Sequence, residues 1–422
     1  MGSIKINVMN KKIFGILLLG FASGLPYMLV FSTLSAWLRD VGISLTEIGF
    51  FAWLVLTYSL KFLWAPFVDR YSVIGFGFFG KRRGWILFSQ FMIFCSLLGM
   101  SFIDPLQNIK ALALIAFFAA FFGSIQDVAI DALRIEIGDA KEQGNLAASY
   151  QLGYRIAILV ATSMALIFAD LMDWAYVYQL MSFLMFVGAA GALICNEPVN
   201  NDIALLRFDE ALVESTKDFF SRFGLWASAL LLMIISTYRL TDIVMGPMAM
   251  PFYLDLGFSK TEIGALVKTI ALFGSIFGFF VGGLLIKKLS LFKALLIGGI
   301  SVLLTNLFFA FVASSNANLS LLSLIVGLDS FAAGLVGTVN IAFLTSLVSK
   351  KYTAVQYALL TSFMMLPGKF FSGFSGVLAD YYISITNLQM GWTFFFYTTT
   401  VMSIPALLLI VIYERNHANN SA

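Results

Sequence analysis

The sequence predicts an all-α membrane protein with twelve transmembrane helices arranged as two six-helix halves. Three observations support this prediction: a very apolar composition, many stretches long enough to cross a bilayer, and one octet that occurs twice, half a chain apart. Hydrophobic residues make up 60% of the 422 residues, charged residues make up 12%, and 44 residues are Phe. Soluble domains are close to half apolar and a quarter charged, so this composition excludes an ordinary soluble protein.

The spanning elements follow from length and apolar content. A helix needs about 20 mostly apolar residues to cross a bilayer. No stretch alternates as the strands of an outer-membrane barrel do, which favours a helical bundle. The first stretch lacks a convincing small-residue cleavage site, so we expect a retained helix. The predicted spans are 13–35, 45–68, 85–103, 111–136, 146–169, 175–195, 224–247, 260–286, 291–313, 319–347, 354–380 and 391–413.

Lysine and arginine are distributed unevenly around these spans. With the N-terminus inside, 18 of the 26 fall in cytoplasmic segments, three fall in outside loops and five fall within spans. Cytoplasmic loops of membrane proteins carry this excess. We therefore predict a multi-pass protein with both termini in the cytoplasm, and the net charge of +3 indicates no nucleic-acid partner.

The repeated octet is GISLTEIG at 42–49 and GFSKTEIG at 257–264, identical at six of eight positions and 215 residues apart. In both copies a Ser precedes a Glu by three, which is the pattern of a capping box at the start of a helix. The octets open spans 2 and 8, which run in the same direction. Two parallel repeats of six spans are the major facilitator arrangement. The predicted domains are a six-helix bundle at 1–195, a cytoplasmic linker at 196–222 and a six-helix bundle at 223–422.

A short basic loop follows the second span of each half, within 65–85 and 282–295. In major facilitators this loop braces the two halves in the outward-facing state. Ordinary cytoplasmic positive charge is the alternative. The candidate gating residues are Lys61, Asp69, Arg70, Lys81, Arg82 and Arg83.

Ionisable groups inside spans are costly and usually functional. The cations outnumber the anions by one, which favours an anionic substrate. The anions are Asp127, Asp131, Asp242 and Asp329, and the cations are Lys61, Arg155, Arg239, Lys268 and Lys369.

Span 4 carries a polar stripe in the segment SIQDVAIDALR, 124–134. Its polar residues recur at helical spacing and share one face. Asp127 and Arg155 lie at similar depths in spans 4 and 5, so they can pair. A buried carboxylate can carry a proton, and an adjacent arginine favours its release. We expect Asp127, Asp131, Arg155, Asp242 and Asp329 to serve proton coupling or substrate binding, with static ion pairs as the alternative.

Several further side chains are candidates for substrate contact. Tyr150 and Tyr154 share a face of span 5 that can stack on a sugar ring. Arg239 can bind an anion or neutralise Asp242 three residues on. Lys268 and Lys369 can bind an anionic group or neutralise Asp329.

Enzymatic chemistry is not indicated. The only histidine is His417 in the polar tail, no P-loop is present, and both cysteines, Cys95 and Cys195, lie in apolar stretches. We expect no enzyme activity, no cofactor and no metal, and energy from an ion or substrate gradient.

Motifs along nearly the whole chain resemble the AmpG muropeptide permeases, a branch of the major facilitators related to the acetyl-coenzyme A transporters. They are GFASGLP (20–26), LKFLWAPFVDRY (60–71), GKRRGW (80–85), QDVAIDA (126–132), GYR (153–155), YRLTD (238–242) and KKYTAVQYALL (350–360).

The resemblance implies a monomer in the bacterial inner membrane that imports GlcNAc-1,6-anhydroMurNAc and its peptides with protons. It implies alternating access and roles in cell-wall recycling and beta-lactamase induction. Carried over by position, it adds Gln126 to the cavity candidates and supports Asp127, Asp131, Arg155 and Asp242. The alternatives are a transporter of another bulky anion, such as acyl-coenzyme A or a peptide, and a non-transporting sensor on the same fold.

Overall fold

The structure, a computed structural model, describes residues 2–73, 75–138, 142–197, 208–315, 318–349 and 353–420. Regular structure in these ranges is helical throughout, with no β-strand. The predicted all-α class is therefore confirmed.

The first half of the chain forms eleven α-helices among the described residues. They are α1 (Gly2–Met28), α2 (Leu34–Asp40), α3 (Leu45–Phe51), α4 (Leu56–Ser59), α5 (Ala65–Arg70), α6 (Lys81–Met100), α7 (Pro105–Ile137), α8 (Gln143–Leu159), α9 (Ala165–Leu171), α10 (Trp174–Phe183) and α11 (Met185–Ile194). Short π-helical segments at Leu29–Thr33 and Val160–Met164 continue α1 into α2 and α8 into α9.

The second half also forms eleven α-helices in the part that the structure describes. They are α12 (Phe208–Phe223), α13 (Leu225–Tyr238), α14 (Leu240–Met245), α15 (Ala249–Asp255), α16 (Lys260–Glu262), α17 (Lys268–Lys288), α18 (Leu291–Ser314), α19 (Leu319–Leu347), α20 (Thr353–Ser372), α21 (Ser375–Ile385) and α22 (Leu388–Asn420).

Ten helical stretches in the described ranges are long and apolar enough to cross a membrane, and they match ten of the predicted spans. Predicted span 2 is divided into α3, α4 and α5 by 3-10 turns, with Pro66 in the first turn of α5. Predicted span 11 is divided into α20 and α21 at residues 373–374. Proline favours the first turn of a helix, where its missing N–H costs nothing, so it begins a new helix at α5.

The chain forms two compact units. Unit 1 comprises Met1–Ile43, Phe51–Asn201 and Ser259–Ala265, and unit 2 comprises Ser44–Phe50, Asp202–Phe258 and Leu266–Ala422. Each unit therefore contains seven residues from the other half of the sequence. Each exchanged segment contains the last six residues of one octet, and the two segments are related by the same offset of 215 residues.

Both octets begin helices as predicted. Ser259 and Glu262 form the complete capping box, with Glu262 N–H donating to Ser259 Oγ at 3.2 Å and Ser259 N–H donating to Glu262 Oε2 at 2.9 Å. Glu47 N–H donates to Ser44 Oγ at 3.2 Å in the first octet. An aspartate within the same unit adds a further acceptor: Thr261 N–H donates to Asp170 at 2.6 Å and Thr46 N–H donates to Asp380 at 2.7 Å. A carboxylate stabilises the positive end of each helix dipole.

Unit 1 is held together by close helix crossings. α1 packs on α8 and α11, and α6 packs on α7. A Cβ atom placed on Gly20 would lie 2.1 Å from Tyr150 O, and one on Gly153 would lie 1.9 Å from Leu17 O. Small residues let membrane helices approach this closely, because packing, rather than exclusion from water, drives their association.

Glycines also allow a close helix crossing in unit 2. α17 packs on α19, where a Cβ on Gly278 would lie 2.0 Å from Phe331 O and one on Gly334 would lie 2.2 Å from Ser275 O. The outer side of α17 exposes Phe273, Phe277 and Phe280, each more than 60% accessible. A row of exposed phenylalanines is what a lipid-facing helix requires.

Candidate functional site

The predicted polar face of span 4 lies on α7. This helix begins at Pro105, with Asp104 as the N-cap that accepts Leu106 N–H at 3.0 Å. Gln126 is fully buried, and its Nε2 donates to Ala22 O in α1 at 2.9 Å. Its Oε1 has no hydrogen-bond partner among the residues that the structure describes. Gln126 therefore ties α7 to α1 and leaves one acceptor available to a small donor.

Asp127 is joined to two other helices through a hydroxyl. Ser23 Oγ, in α1, donates to Asp127 Oδ1. The same Oγ lies 2.8 Å from the hydroxyl of Tyr150, in α8. Ser23 is almost completely buried. The hydrogen bond that Asp127 Oδ1 accepts thus comes from a hydroxyl. The ion pair between Asp127 and Arg155 stays a prediction.

Asp131, one helical turn further along α7, lies between two cations. Lys61 Nζ donates to Asp131 Oδ2 at 3.3 Å, and Arg134 Nη2 lies 3.7 Å from Asp131 Oδ1. The side chains of Lys61 and Asp131 are 40% and 39% accessible. The charge of Lys61 acts on Asp127 as well as on Asp131. Two cations, Lys61 and Arg134, therefore surround one carboxylate, Asp131, and the excess positive charge can attract an anion.

Aromatic side chains surround these charges. The rings of Tyr150 and Tyr154 lie 6.3 Å apart, and the guanidinium of Arg134 lies 5.9 Å above the Tyr150 ring. Tyr27 and Tyr58 meet edge to face at 5.1 Å. The Tyr58 hydroxyl is buried without a hydrogen-bond partner in the described ranges. Tyr150 and Tyr154 therefore lie side by side as expected, and their stacking on a sugar ring stays a prediction.

A second charged group lies in unit 2. Arg239 occupies the break between α13 and α14, and its Nε lies 3.9 Å from Asp242 Oδ2. Asp329 accepts a hydrogen bond from Thr305 in α18 at 2.9 Å. The two carboxylates are close enough to interact electrostatically. Arg239, Asp242 and Asp329 therefore form a charged group inside unit 2, and its role in transport stays a prediction.

The remaining substrate candidates are distributed over both units. Lys369 is 93% buried in α20, two residues after Pro367. Arg155 lies half-buried in α8. The side chain of Lys268 lies outside the part of the chain that the structure describes.

Among the gating candidates, Arg82 has the best-defined contacts. Its guanidinium donates to both oxygens of Glu136, through Nη2 at 2.6 Å and through Nε at 3.1 Å. The backbone N–H groups of Arg82 and Arg83 donate to Glu197 at 2.7 and 3.0 Å. Within unit 1, the Glu136 contacts attach the start of α6 to α7, and the Glu197 contacts attach it to the segment after α11.

The other gating candidates are less constrained. Arg70 is exposed, and its guanidinium lies 5.7 Å from the ring of Tyr71. The side chain of Asp69 lies outside the described residues. The bracing role predicted for this loop stays a prediction.

Sequence analysis missed Ser23, Glu136 and Thr305. Ser23 lies in GFASGLP, yet a single small hydroxyl carries no signal of charge or periodicity. Glu136 and Thr305 are distinguished only by their partners, which are 54 and 24 residues away in the chain.

Comparison with known proteins gives consistent results. The family described as Major Facilitator Superfamily matches residues 16–372. The chain is 33% identical over 399 residues to the anhydromuropeptide permease of Escherichia coli K12, covering 94% of this chain and 78% of that one. It is 31% identical over 413 residues to a putative transporter, AmpG 4, of Rickettsia felis, covering 96% and 97%.

Solved structures share the fold at low identity. A bacterial homologue of the human lysosomal transporter Spinster superposes with a TM-score of 0.73 at 13% identity, covering 97% of each chain. A D-xylose–proton symporter superposes with a TM-score of 0.71 at 14% identity, covering 96% of this chain and 97% of that one. At such identities the likeness concerns the fold alone.

Proposed function

This chain belongs to the major facilitator superfamily and, within it, to the AmpG permeases, and on that premise we propose that it imports anhydromuropeptides across the bacterial inner membrane. The observation that carries the proposal is the 33% identity to the Escherichia coli permease, which extends over 94% of this chain. That match includes both halves of this chain, rather than one of them, and 78% of the Escherichia coli permease.

The chemistry of the candidate residues supports this cargo. An anhydromuropeptide has sugar rings, which stack on aromatic faces, and peptide carboxylates, which bind cations. Unit 1 offers Tyr150 and Tyr154 beside Lys61 and Arg134. Unit 2 offers the buried cation Lys369.

We further propose that import is driven by protons entering with the cargo. Asp127 and Asp329 lie inside helices, each with a hydroxyl donor, Ser23 and Thr305. A carboxyl group inside a membrane is costly to keep charged, and such groups form proton relays in transporters. Asp131, between two cations, is better suited to orienting Lys61.

The test is uptake of labelled anhydromuropeptide into proteoliposomes, with and without an inward proton gradient. We expect the wild type to accumulate the label only with the gradient, and Asp127→Asn to lose accumulation. Asp104→Asn is the matched control, because asparagine caps a helix as well as aspartate does. Absence of uptake by folded wild-type protein would refute the cargo, and gradient-driven uptake by Asp127→Asn would refute the role of that carboxylate.

A further inference from the structure

We propose that Ser23 is a relay that couples the protonation of Asp127 to the hydrogen-bonding direction of the Tyr150 hydroxyl. The inference deepens the proposed function and rests on it, because it concerns how a proton on Asp127 favours cargo binding. It starts from three side chains on three helices: Ser23 on α1, Asp127 on α7 and Tyr150 on α8.

The direction of these hydrogen bonds follows from counting protons. A hydroxyl has one proton to donate. While Asp127 is ionised it can only accept, so Ser23 donates to Asp127 and the Tyr150 hydroxyl must donate to Ser23. In this state the Tyr150 oxygen can only accept a hydrogen bond from a ligand.

A proton on Asp127 allows both bonds to reverse. The Asp127 carboxyl then donates to Ser23, and Ser23 donates to Tyr150. The Tyr150 hydroxyl can then donate a hydrogen bond to a carbonyl or carboxylate oxygen of the cargo. One proton, taken from the outside water to form the O–H bond of the Asp127 carboxyl, thus changes Tyr150 from an acceptor into a donor. The hydroxyls of Ser23 and Tyr150 keep their own protons and only rotate.

The neighbouring ionisable groups assign the exchangeable proton to Asp127. The groups that act on Asp127 are Lys61, Asp131, Tyr58, Tyr150 and Tyr154. Lys61 and Arg134 already compensate Asp131. Arg134 also lies above the Tyr150 ring. Ser23, which is not ionisable, contacts both Asp127 and Tyr150.

A purely structural role for Ser23 makes a different prediction. Ser23 lies on α1 between Gly20 and Gly24, both of which approach the backbone of α8. If Ser23 served only this packing, alanine would replace it without loss, since alanine is smaller and equally helical.

The experiment separates cargo exchange from proton-driven accumulation in proteoliposomes. We expect Ser23→Ala to retain exchange at equal pH within about threefold and to lose accumulation by roughly tenfold or more. We expect Tyr150→Phe, which removes the hydroxyl that donates to the cargo, to lose accumulation to the same extent. The double variant should lose no more than either single variant, because residues in one chain of hydrogen bonds are not additive. The control is Ser35→Ala, a buried serine whose Oγ donates to Phe31 O of its own helix at 2.8 Å.

A second readout needs no cargo and distinguishes failure of the relay from failure of the proposed function. The infrared band of the protonated Asp127 carboxyl, assigned through Asp127→Asn, should shift in Ser23→Ala and also in Tyr150→Phe. Wild-type accumulation by Ser23→Ala, multiplicative losses in the double variant, or a band insensitive to Tyr150→Phe would each overturn the proposal. If Ser23→Ala does not fold, Tyr150→Phe alone decides, since it keeps the ring in place.

Discussion

At the scale of single residues, the position of Lys61 differs most from the role that the sequence predicted for it. The sequence placed it among the gating candidates, at the end of a predicted span. In the structure a 3-10 turn, Lys61–Leu63, brings its ammonium to Asp131 at 3.3 Å. Lys61 thereby contacts Asp131 and interacts electrostatically with Asp127, where it can compensate charge and attract an anionic cargo.

We expect Lys61→Gln to reduce anhydromuropeptide uptake by about tenfold or more, through loss of an ion in a partly buried cluster. Lys61→Arg should keep part of the activity, because the positive charge remains. Uptake at increasing salt measures this electrostatic contribution. The control is Lys110→Gln, which replaces an exposed lysine near the start of α7. Equal uptake by Lys61→Gln and wild type would contradict the role.

At the scale of helices, glycine decides which elements can approach. The crossing of α1 on α8 brings Ser23 and Tyr150 together, and it depends on the contact between Gly153 and the backbone of Leu17. A methyl group at Gly153 would overlap a carbonyl oxygen, which cannot move without its helix.

We therefore expect Gly153→Ala to destabilise the protein by about 1–3 kcal/mol and to reduce uptake, because the crossing must widen. Thermal unfolding in detergent measures the first effect. Gly283→Ala is the matched control in another helix, where a Cβ atom meets no heavy atom within 4 Å. A lower melting temperature for both variants alike would show that helix glycines, rather than this crossing, matter.

A second element with a defined attachment is α12. Gln356 Nε2 donates to Ser215 O at 2.8 Å, and its Oε1 accepts from Arg222 at 3.0 Å and from Ser349 N–H at 2.7 Å. Arg222 also donates to Leu347 O at 2.9 Å. The predicted linker therefore contains a helix that is fixed within unit 2 by the buried amide of Gln356 together with Arg222.

We expect Gln356→Ala to free α12, since it leaves several buried polar groups without partners at a cost of about 1–3 kcal/mol. Trypsin cleavage at Lys217 and Arg222 should become roughly tenfold faster, because local opening governs proteolysis. Gln389→Ala, which removes an exposed amide, should leave the cleavage rate unchanged. Unchanged cleavage of Gln356→Ala would show that α12 is attached by its apolar face alone.

At the scale of the whole molecule, the major facilitator fold and the AmpG family are confirmed by the family match and the relatives. The boundaries 1–195, 196–222 and 223–422 stay predictions, as does the orientation. The two units do not follow the sequence boundary strictly, because each contains seven residues from the opposite half, six of them from an octet.

Orientation can be tested by cysteine labelling in a background carrying Cys95→Ala and Cys195→Ala. We expect an impermeant maleimide to label Gln107→Cys in intact spheroplasts and to label Glu214→Cys only after permeabilisation, because the positive-inside bias places these segments on opposite sides. Both positions are exposed. The reverse labelling pattern would overturn cytoplasmic termini.

The sequence alone was sufficient for the helical class, ten of the twelve spans, the repeat and the family. These properties depend on apolar length, charge bias and local motifs, which are linear features of a chain in a membrane. The same features located Asp127, Asp131, Asp242 and Asp329, since charge within an apolar stretch is conspicuous.

Only the tertiary structure decided which side chains form hydrogen bonds with one another. Ser23 is 104 residues from Asp127 and 127 residues from Tyr150, and uncharged hydroxyls in a membrane helix carry no pattern that links them. The breaks in predicted spans 2 and 11 and the exchange of the octets likewise depend on packing between distant segments. Hydrophobicity selects what enters the bilayer, whereas close packing and hydrogen bonding select which faces meet inside it.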